Sequence, residues 1–338
     1  MSSVLRTVIG RGWVAPLGIM ARWLPGYLRV DFLSAGLQSG ILEYLNGRPA
    51  SAKQVAGHFG YDLEMIEGLV AWLDLGALLG ELRRKRGRYS VRSRRVKTLL
   101  KQENDPIAAF FEEFTDLNHR LVLETPSRLA QGEWFELSDA DSAMVARTSR
   151  AGEPWLASAI EKAVPAEGNF RLVEVGCGSG AHIRTAAGIN PNLRALGIEL
   201  QEPAAAQARE NVETWGLADR VTIEVGDVRE RAGDGTADLV TLHQNIYYFP
   251  VAEQADLLRH LGTYVAPGGK LLITTVVRGS GPGSAALDLW GAMTRGASRL
   301  PTPDELEDRL RAAGYEDVSA QKLGPDGMYY AATGTWRG

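Results

Sequence analysis

Cysteine is nearly absent: the chain of 338 residues holds one, Cys177. A single thiol excludes an intrachain disulfide framework and a zinc site built on several cysteines, and it suits a reducing, cytoplasmic setting. Histidine is sparse too, with five residues scattered along the chain, so no metal is expected. Long apolar runs are missing. Residues 1–30 carry Arg6, Arg11, Arg22 and Arg29 without an acid, and their longest apolar stretch, Trp13 to Ala21, is interrupted by Pro16. That is too short for a membrane span or a signal-peptide core, so the segment is expected to pack on its own protein or on a partner subunit. With 38 Gly, 15 Pro and 45% hydrophobic residues, neither disorder nor a fibrous repeat is indicated. Acidic residues, finally, are missing from 82–101, where ten Lys or Arg stand. The net charge of −4 therefore hides 27 basic against 41 acidic residues elsewhere, and nucleic acid is one reading of that asymmetry.

The length suggests two or three domains, and the patterning divides the chain at 1–104, 105–165 and 166–338. In the first zone Leu33, Leu37, Ile41 and Leu45 recur at helical spacing as one helix. Ser51 is placed to cap a short helix through Phe59, and Asp62 opens another with Leu63, Ile66, Val70 and Leu73 on one face. Glu81 to Val91 reads as a hairpin around Arg86-Gly87-Arg88, with Tyr89 and Val91 on one side. Helix, turn, helix and basic hairpin suggest a winged helix. Residues 105–165 read as a helical, aromatic-rich connector. From Phe170 onward short apolar strands alternate with helices: Arg171 to Val175, Ala195 to Leu200, Val221 to Val225, Leu239 to Leu242 and Lys270 to Val276. Such alternation predicts a mainly parallel sheet flanked by helices. Val318 to Lys322 and Met328 to Thr335 are joined by Gly324-Pro325-Asp326-Gly327, a hairpin that makes the last strand antiparallel.

The richest stretch is Leu172-Val173-Glu174-Val175-Gly176-Cys177-Gly178-Ser179-Gly180-Ala181, a strand running into glycines where a helix should begin. Glycines there let the backbone approach a ligand and present amide groups. Alone, the loop also fits a dinucleotide fingerprint. Its neighbours decide between the two. Glu174 attracts an ammonium group and repels a pyrophosphate, Glu199 ends the next strand where two ribose hydroxyls would sit, and Asp227 ends the third, suited to an exocyclic adenine amine. Three carboxylates at successive strand ends match a ligand with a cationic amino-acid end, a ribose and an adenine, which points to S-adenosylmethionine.

Over residues 166–338 the sequence resembles the class I S-adenosylmethionine-dependent methyltransferases. The carrying residues are Glu174 to Gly180, Glu199, Val225-Gly226-Asp227-Val228, Asp238-Leu239-Val240 and Leu261 through Ala266-Pro267-Gly268-Gly269-Lys270-Leu271. With the winged helix added, nearly the whole chain is similar to small-molecule O-methyltransferases whose first domain makes a homodimer. The resemblance implies a Rossmann-like α/β fold with a seven-stranded sheet, last strand antiparallel, behind a mainly α winged-helix domain. It also implies S-adenosylmethionine as cofactor, S-adenosylhomocysteine as product, and a small-molecule acceptor as partner. Gly176, Gly178 and Gly180 would hold the cofactor with Glu174 at its amine, Glu199 at its ribose and Asp227 at its adenine. Leu200, Gly226, Val228, His243 and Gln244 complete that set.

An oxygen nucleophile must lose a proton, and related plant-type enzymes use a His in a His-Asp-Trp run. Here the run is Leu242-His243-Gln244-Asn245-Ile246-Tyr247-Tyr248-Phe249-Pro250, which puts Tyr247 at the base position and His243 at the strand tip facing the cofactor. Tyr247, with an ordinary pKa near 10, is a poor base at neutral pH but can orient an acceptor. His243 titrates near neutrality, as a base or as a hydrogen-bonding partner. The His-based metal triad of some carbon-methylating relatives is incomplete. Acceptor-binding candidates are Phe111, Phe114, His119 and Trp134 in the connector, with Tyr248, Trp290 and Met293 further on; aromatic residues at such spacing also serve as plain core. An apolar wall favours a small apolar or aromatic acceptor, methylated at oxygen, with nitrogen or carbon as alternatives. Three rivals stand beside this reading. A winged-helix regulator would need a basic recognition helix, yet the helix from Asp62 carries Asp62, Glu64, Glu67 and Asp74 and would be repelled by phosphate. A nicotinamide oxidoreductase conflicts with Glu174 and Asp227. A relative that keeps the cofactor without transferring methyl remains compatible with Tyr247.

Overall fold

The structure is a computed structural model that describes residues 3–338. The chain divides into two compact units, Met1–Arg120 with Ala140–Ala151, and Leu121–Asp139 with Gly152–Gly338. The aromatic helical zone 105–165 is thus shared between them. Among the described residues no helix is long and apolar enough to cross a membrane.

In the first unit a long helix, Val14–Gln38, is followed by a separate short one, Ile41–Leu45. The single helix expected through Leu33, Leu37, Ile41 and Leu45 is broken because Gly40 takes a left-handed φ of 73°, a conformation that ends a helix. Ser51 caps Ala52–Phe59 in a reciprocal pair with Gln54, which satisfies two otherwise unpaired amide groups. Asp62 caps a 3₁₀ turn, Leu63–Met65, that leads into Ile66–Leu78. The expected hairpin is present as β1 (Leu82–Lys85) and β2 (Arg88–Val91), with Tyr89 and Val91 buried. Tyr89 also bridges Ala50, so the wing is tied to the segment before the capped helix. Phe32, Leu42, Leu45, Val55, Leu73 and Tyr89 form this unit's core. Part of the basic segment is spoken for: Arg84 pairs with Asp74, and Arg95 joins Arg29 on the fully buried Glu81.

The second unit is a seven-stranded sheet of β3 (Phe170–Val175), β4 (Leu193–Glu199), β5 (Val221–Val225), β6 (Ala237–His243), β7 (Val265–Val276), β8 (Glu316–Lys322) and β9 (Tyr329–Thr335). Their order is β5-β4-β3-β6-β7-β9-β8, parallel except for β9, which runs antiparallel to both neighbours. The helices Ala181–Ile189 and Glu202–Thr214 pack Ile183, Ala186, Ala205 and Ala208 on the sheet core with Leu172, Leu239 and Leu272. The connections step outward from β3 to β5 and then return to β6 on its other side. That reversal opens a crevice at the carboxyl ends of β3 and β6, where open α/β sheets bind ligands.

The floor of the crevice is closely packed. Gly197 on β4 lies opposite Glu174 in the sheet, and a Cβ there would come within 2.8 Å of the Cys177 sulfur and 2.7 Å of Ile223. Gly197→Ala should therefore destabilise the second unit by about 1–3 kcal/mol, read as a lower urea midpoint, with no change expected if the floor were loosely packed.

Candidate functional site

Four strand ends supply the site. Glu174, near the end of β3, is 1% exposed; a carboxylate there survives only with compensating donors. One oxygen contacts His182 Nδ1 at 3.0 Å, while Oε2 is buried without a hydrogen-bond partner. His182 stands in the first turn of the Ala181–Ile189 helix. Burial opposes its charge, but the hydrogen bond and negative charge of Glu174 outweigh that and raise its pKa. His243 ends β6, its ring 4.6 Å from that of His182 and its Nδ1 2.7 Å from Thr274 Oγ1. Desolvation, reinforced by His182, holds it well below the usual histidine range. The expectation that His243 titrates near neutrality is therefore corrected: a ring sealed between strands loses the water that would solvate its cation.

The loop after β3 is shaped by its glycines. Gly176, Gly178 and Gly180 all have positive φ, and a Cβ on Gly176 would collide with the Asn245 amide. Asn245 donates from Nδ2 to the carbonyl of Val175 at 3.0 Å, locking the loop to the segment after β6. Glu199 closes the loop from the other side. Its Oε2 accepts from the Gly178 amide at 2.9 Å and its Oε1 from the Gln201 amide at 3.0 Å. Each oxygen has a second lone pair left for a ligand hydroxyl. Cys177 is buried, and desolvation with the nearby Glu174 and Glu199 charges pushes its thiol pKa upward.

Asp227 follows β5. It accepts from the Arg229 amide at 2.9 Å and holds the Arg229 guanidinium; that hydrogen bond keeps its carboxyl below the usual range although burial works against it. Gly226 donates to the Glu199 carbonyl. Val228 is buried, whereas Leu200 is 59% exposed. Gln244 has a φ of 54°, uncommon for a residue with a side chain. Its Oε1 takes the Val276 amide, and its Nε2 is buried with no partner.

Tyr247 and Tyr248 form a 3₁₀ turn beyond β6 and meet Trp290 edge-on, with ring centroids 6.3 and 5.5 Å away. Trp290 and Met293 are buried on the Pro282–Met293 helix. Trp134 is exposed, one residue before Phe135, whose amide donates to the Met293 carbonyl. The remaining acceptor candidates lie in the first unit. Phe111 packs on that unit's core, Phe114 is exposed and stacks on Phe110, and His119 faces Tyr27. Inspection of the sequence did not single out His182, Asn245 or Thr274. A histidine eight residues after Glu174 gives no sign of contact until strand and helix are folded together.

Residues 152–320, half of the chain, match a family described as "Methyltransferase domain". The chain belongs to this methyltransferase-domain family. Among its relatives, the demethylspheroidene O-methyltransferase of Rhodobacter capsulatus is 26% identical over 152 residues, 44% of this chain and 37% of that protein. The aclacinomycin 10-hydroxylase of Streptomyces purpurascens is 32% identical over 158 residues, 45% of this chain and 41% of that protein. The chain thus spans less than half the length of these curated relatives. A solved mitomycin 7-O-methyltransferase shares the fold at a TM-score of 0.78 and 20% identity, covering 96% of this chain and 99% of that one.

In this methyltransferase-domain chain Glu199 both shapes the glycine loop and offers free lone pairs. Glu199→Ala should weaken S-adenosylhomocysteine binding by about 10- to 100-fold, the size of one charge-assisted hydrogen bond. Calorimetric titration measures it, and unchanged affinity would refute the assignment.

Proposed function

We propose that the protein is an S-adenosylmethionine-dependent methyltransferase acting at oxygen on a small, largely apolar or aromatic acceptor. The observation that carries this reading is the row of carboxylates at the ends of β3, β4 and β5, one of which keeps a buried, unpartnered oxygen. Bound there, S-adenosylmethionine supplies an electrophilic methyl group on a sulfonium sulfur. The residues fit it. Glu174 Oε2 receives the ammonium group, the free lone pairs of Glu199 take the ribose hydroxyls, and the Gln244 Nε2 amide donates to the carboxylate. Asp227, with Val228 beside it, faces the adenine while sharing its charge with Arg229. A pyrophosphate would be repelled by the same acids.

Tyr247, Tyr248, Trp290 and Met293 line the acceptor side. Their aromatic edges hold a flat molecule in line with the methyl group and exclude water, and positioning of this kind supplies much of the rate of a displacement. His243, sealed against Thr274 and His182, belongs to the cofactor floor. Tyr247 is therefore the residue that orients the acceptor hydroxyl. A second reading, retention of the cofactor without methyl transfer, is favoured by a tyrosine at the base position and by a relative named as a hydroxylase. Cys177, buried and the only cysteine, suits a cytoplasmic enzyme.

The Val14–Gln38 helix leaves Leu17, Met20, Trp23, Leu24 and Tyr27 exposed, an apolar face larger than scattered surface residues make. We read it as the contact of a homodimer. Trp23→Glu should shift the protein toward monomer in sedimentation velocity; a wild-type monomer at micromolar concentration would overturn this.

For the activity, S-adenosylhomocysteine should bind in calorimetry and NADH should not, and labelled methyl should pass from the donor to simple phenols. Tyr247→Phe should slow single turnover by about 10-fold or more with cofactor affinity unchanged. Binding of NADH alone would exclude the methyltransferase reading, and cofactor binding without transfer to any acceptor would favour the second.

A further inference from the structure

Glu174, His182 and His243 form a second constellation within the crevice. From each of the three, one ligand-type atom lies within 4.8 Å of the others. They come from three rigid positions, the end of β3, the first turn of a helix and the end of β6, and none stands on a loop. We propose that these three residues bind a divalent transition-metal ion of zinc type at the amino-acid end of the cofactor crevice.

Donor chemistry and spacing both point this way. Two imidazoles and a carboxylate are a hard-to-borderline set that suits zinc and leaves one position open for an outside ligand. Zinc bonds of about 2.0–2.2 Å place neighbouring tetrahedral donors roughly 3.3 Å apart. Glu174 Oε1 and His182 Nδ1 stand at 3.0 Å, close to that spacing, and the His243 ligand atom lies within 4.8 Å of both. In His243, Nδ1 is engaged by Thr274 Oγ1 at 2.7 Å, which leaves Nε2 to ligate. Holding the far nitrogen of an imidazole in this way is the usual support for a metal-binding histidine. Glu174 Oε2, buried and unpartnered, adds a lone pair that only a cation or a proton donor can satisfy. The site shares Glu174 with the cofactor, so metal and cofactor compete. That last consequence rests on the reading of Glu174 given above; the metal site itself does not.

The test uses the full chain stripped by a chelator. Titration with Co²⁺ should give the visible band of a tetrahedral ion, saturating at one equivalent and displaced by Zn²⁺. His182→Asn, whose amide still reaches Glu174, and His243→Asn should each lose that binding, while His58→Asn, on an exposed position of the first unit, should keep it. Circular dichroism checks that the variants fold. If one does not, the X-ray absorption fine structure of the zinc-loaded wild type decides, with two imidazoles expected in the coordination shell. One equivalent of Zn²⁺ should also weaken S-adenosylhomocysteine binding by at least about 10-fold. No saturable band, a band retained in both variants, or a shell without imidazole would overturn the site, whereas metal that leaves S-adenosylhomocysteine affinity unchanged would overturn the competition at Glu174. Failure of S-adenosylhomocysteine to bind the metal-free protein would count against the methyltransferase reading instead and leave the cobalt band untouched.

Discussion

A carboxylate at 1% exposure in the middle of a parallel sheet must be compensated, and the geometry around Glu174 follows from that need. Removing such a group from water costs several kcal/mol unless donors replace the lost hydration. His182 meets part of the requirement from the first turn of the helix that follows the glycine loop. The remaining oxygen is left buried with no hydrogen-bond partner. A buried acid is thus satisfied incompletely.

The three strand-end acids are not equivalent in the fold. Glu199 shapes the glycine loop by accepting from the Gly178 amide and ties it to the segment after β4 by accepting from the Gln201 amide. Asp227 is a local cap already shared with Arg229, and its charge is correspondingly diluted. Glu174 alone holds an unused buried oxygen among them. His243 shows the same physics from the opposite side. Burial strips the solvent its cation needs and, with His182 beside it, holds the ring well below the usual histidine range.

Much of the architecture was legible in residue order. Alternating apolar strands and helices marked the sheet, the Gly324–Gly327 turn marked the antiparallel last strand, and Ser51 marked a helix start, because each depends on pattern within a few residues. The break at Gly40 was hidden, since apolar spacing through Leu37 and Ile41 stays in phase across it. The glycine loop and the strand-end acids were visible because a sheet places its strand ends together by topology. The partners His182, Asn245 and Thr274 were not, because they reach the site from separate elements with no shared spacing.

By itself the sequence determined the class of fold and the standing of the glycine loop and three acids at strand ends, all properties of local pattern. The basic 82–101 segment could be placed on a wing beside an acidic helix from sequence too, but its ion pairs with Asp74 and Glu81 could not. Only the tertiary structure decided which lone pairs are used and which remain. Hydrogen bonding and desolvation depend on distances of a few ångströms between residues far apart in the chain. That is why five scattered histidines gave no hint that two of them meet beside a buried glutamate.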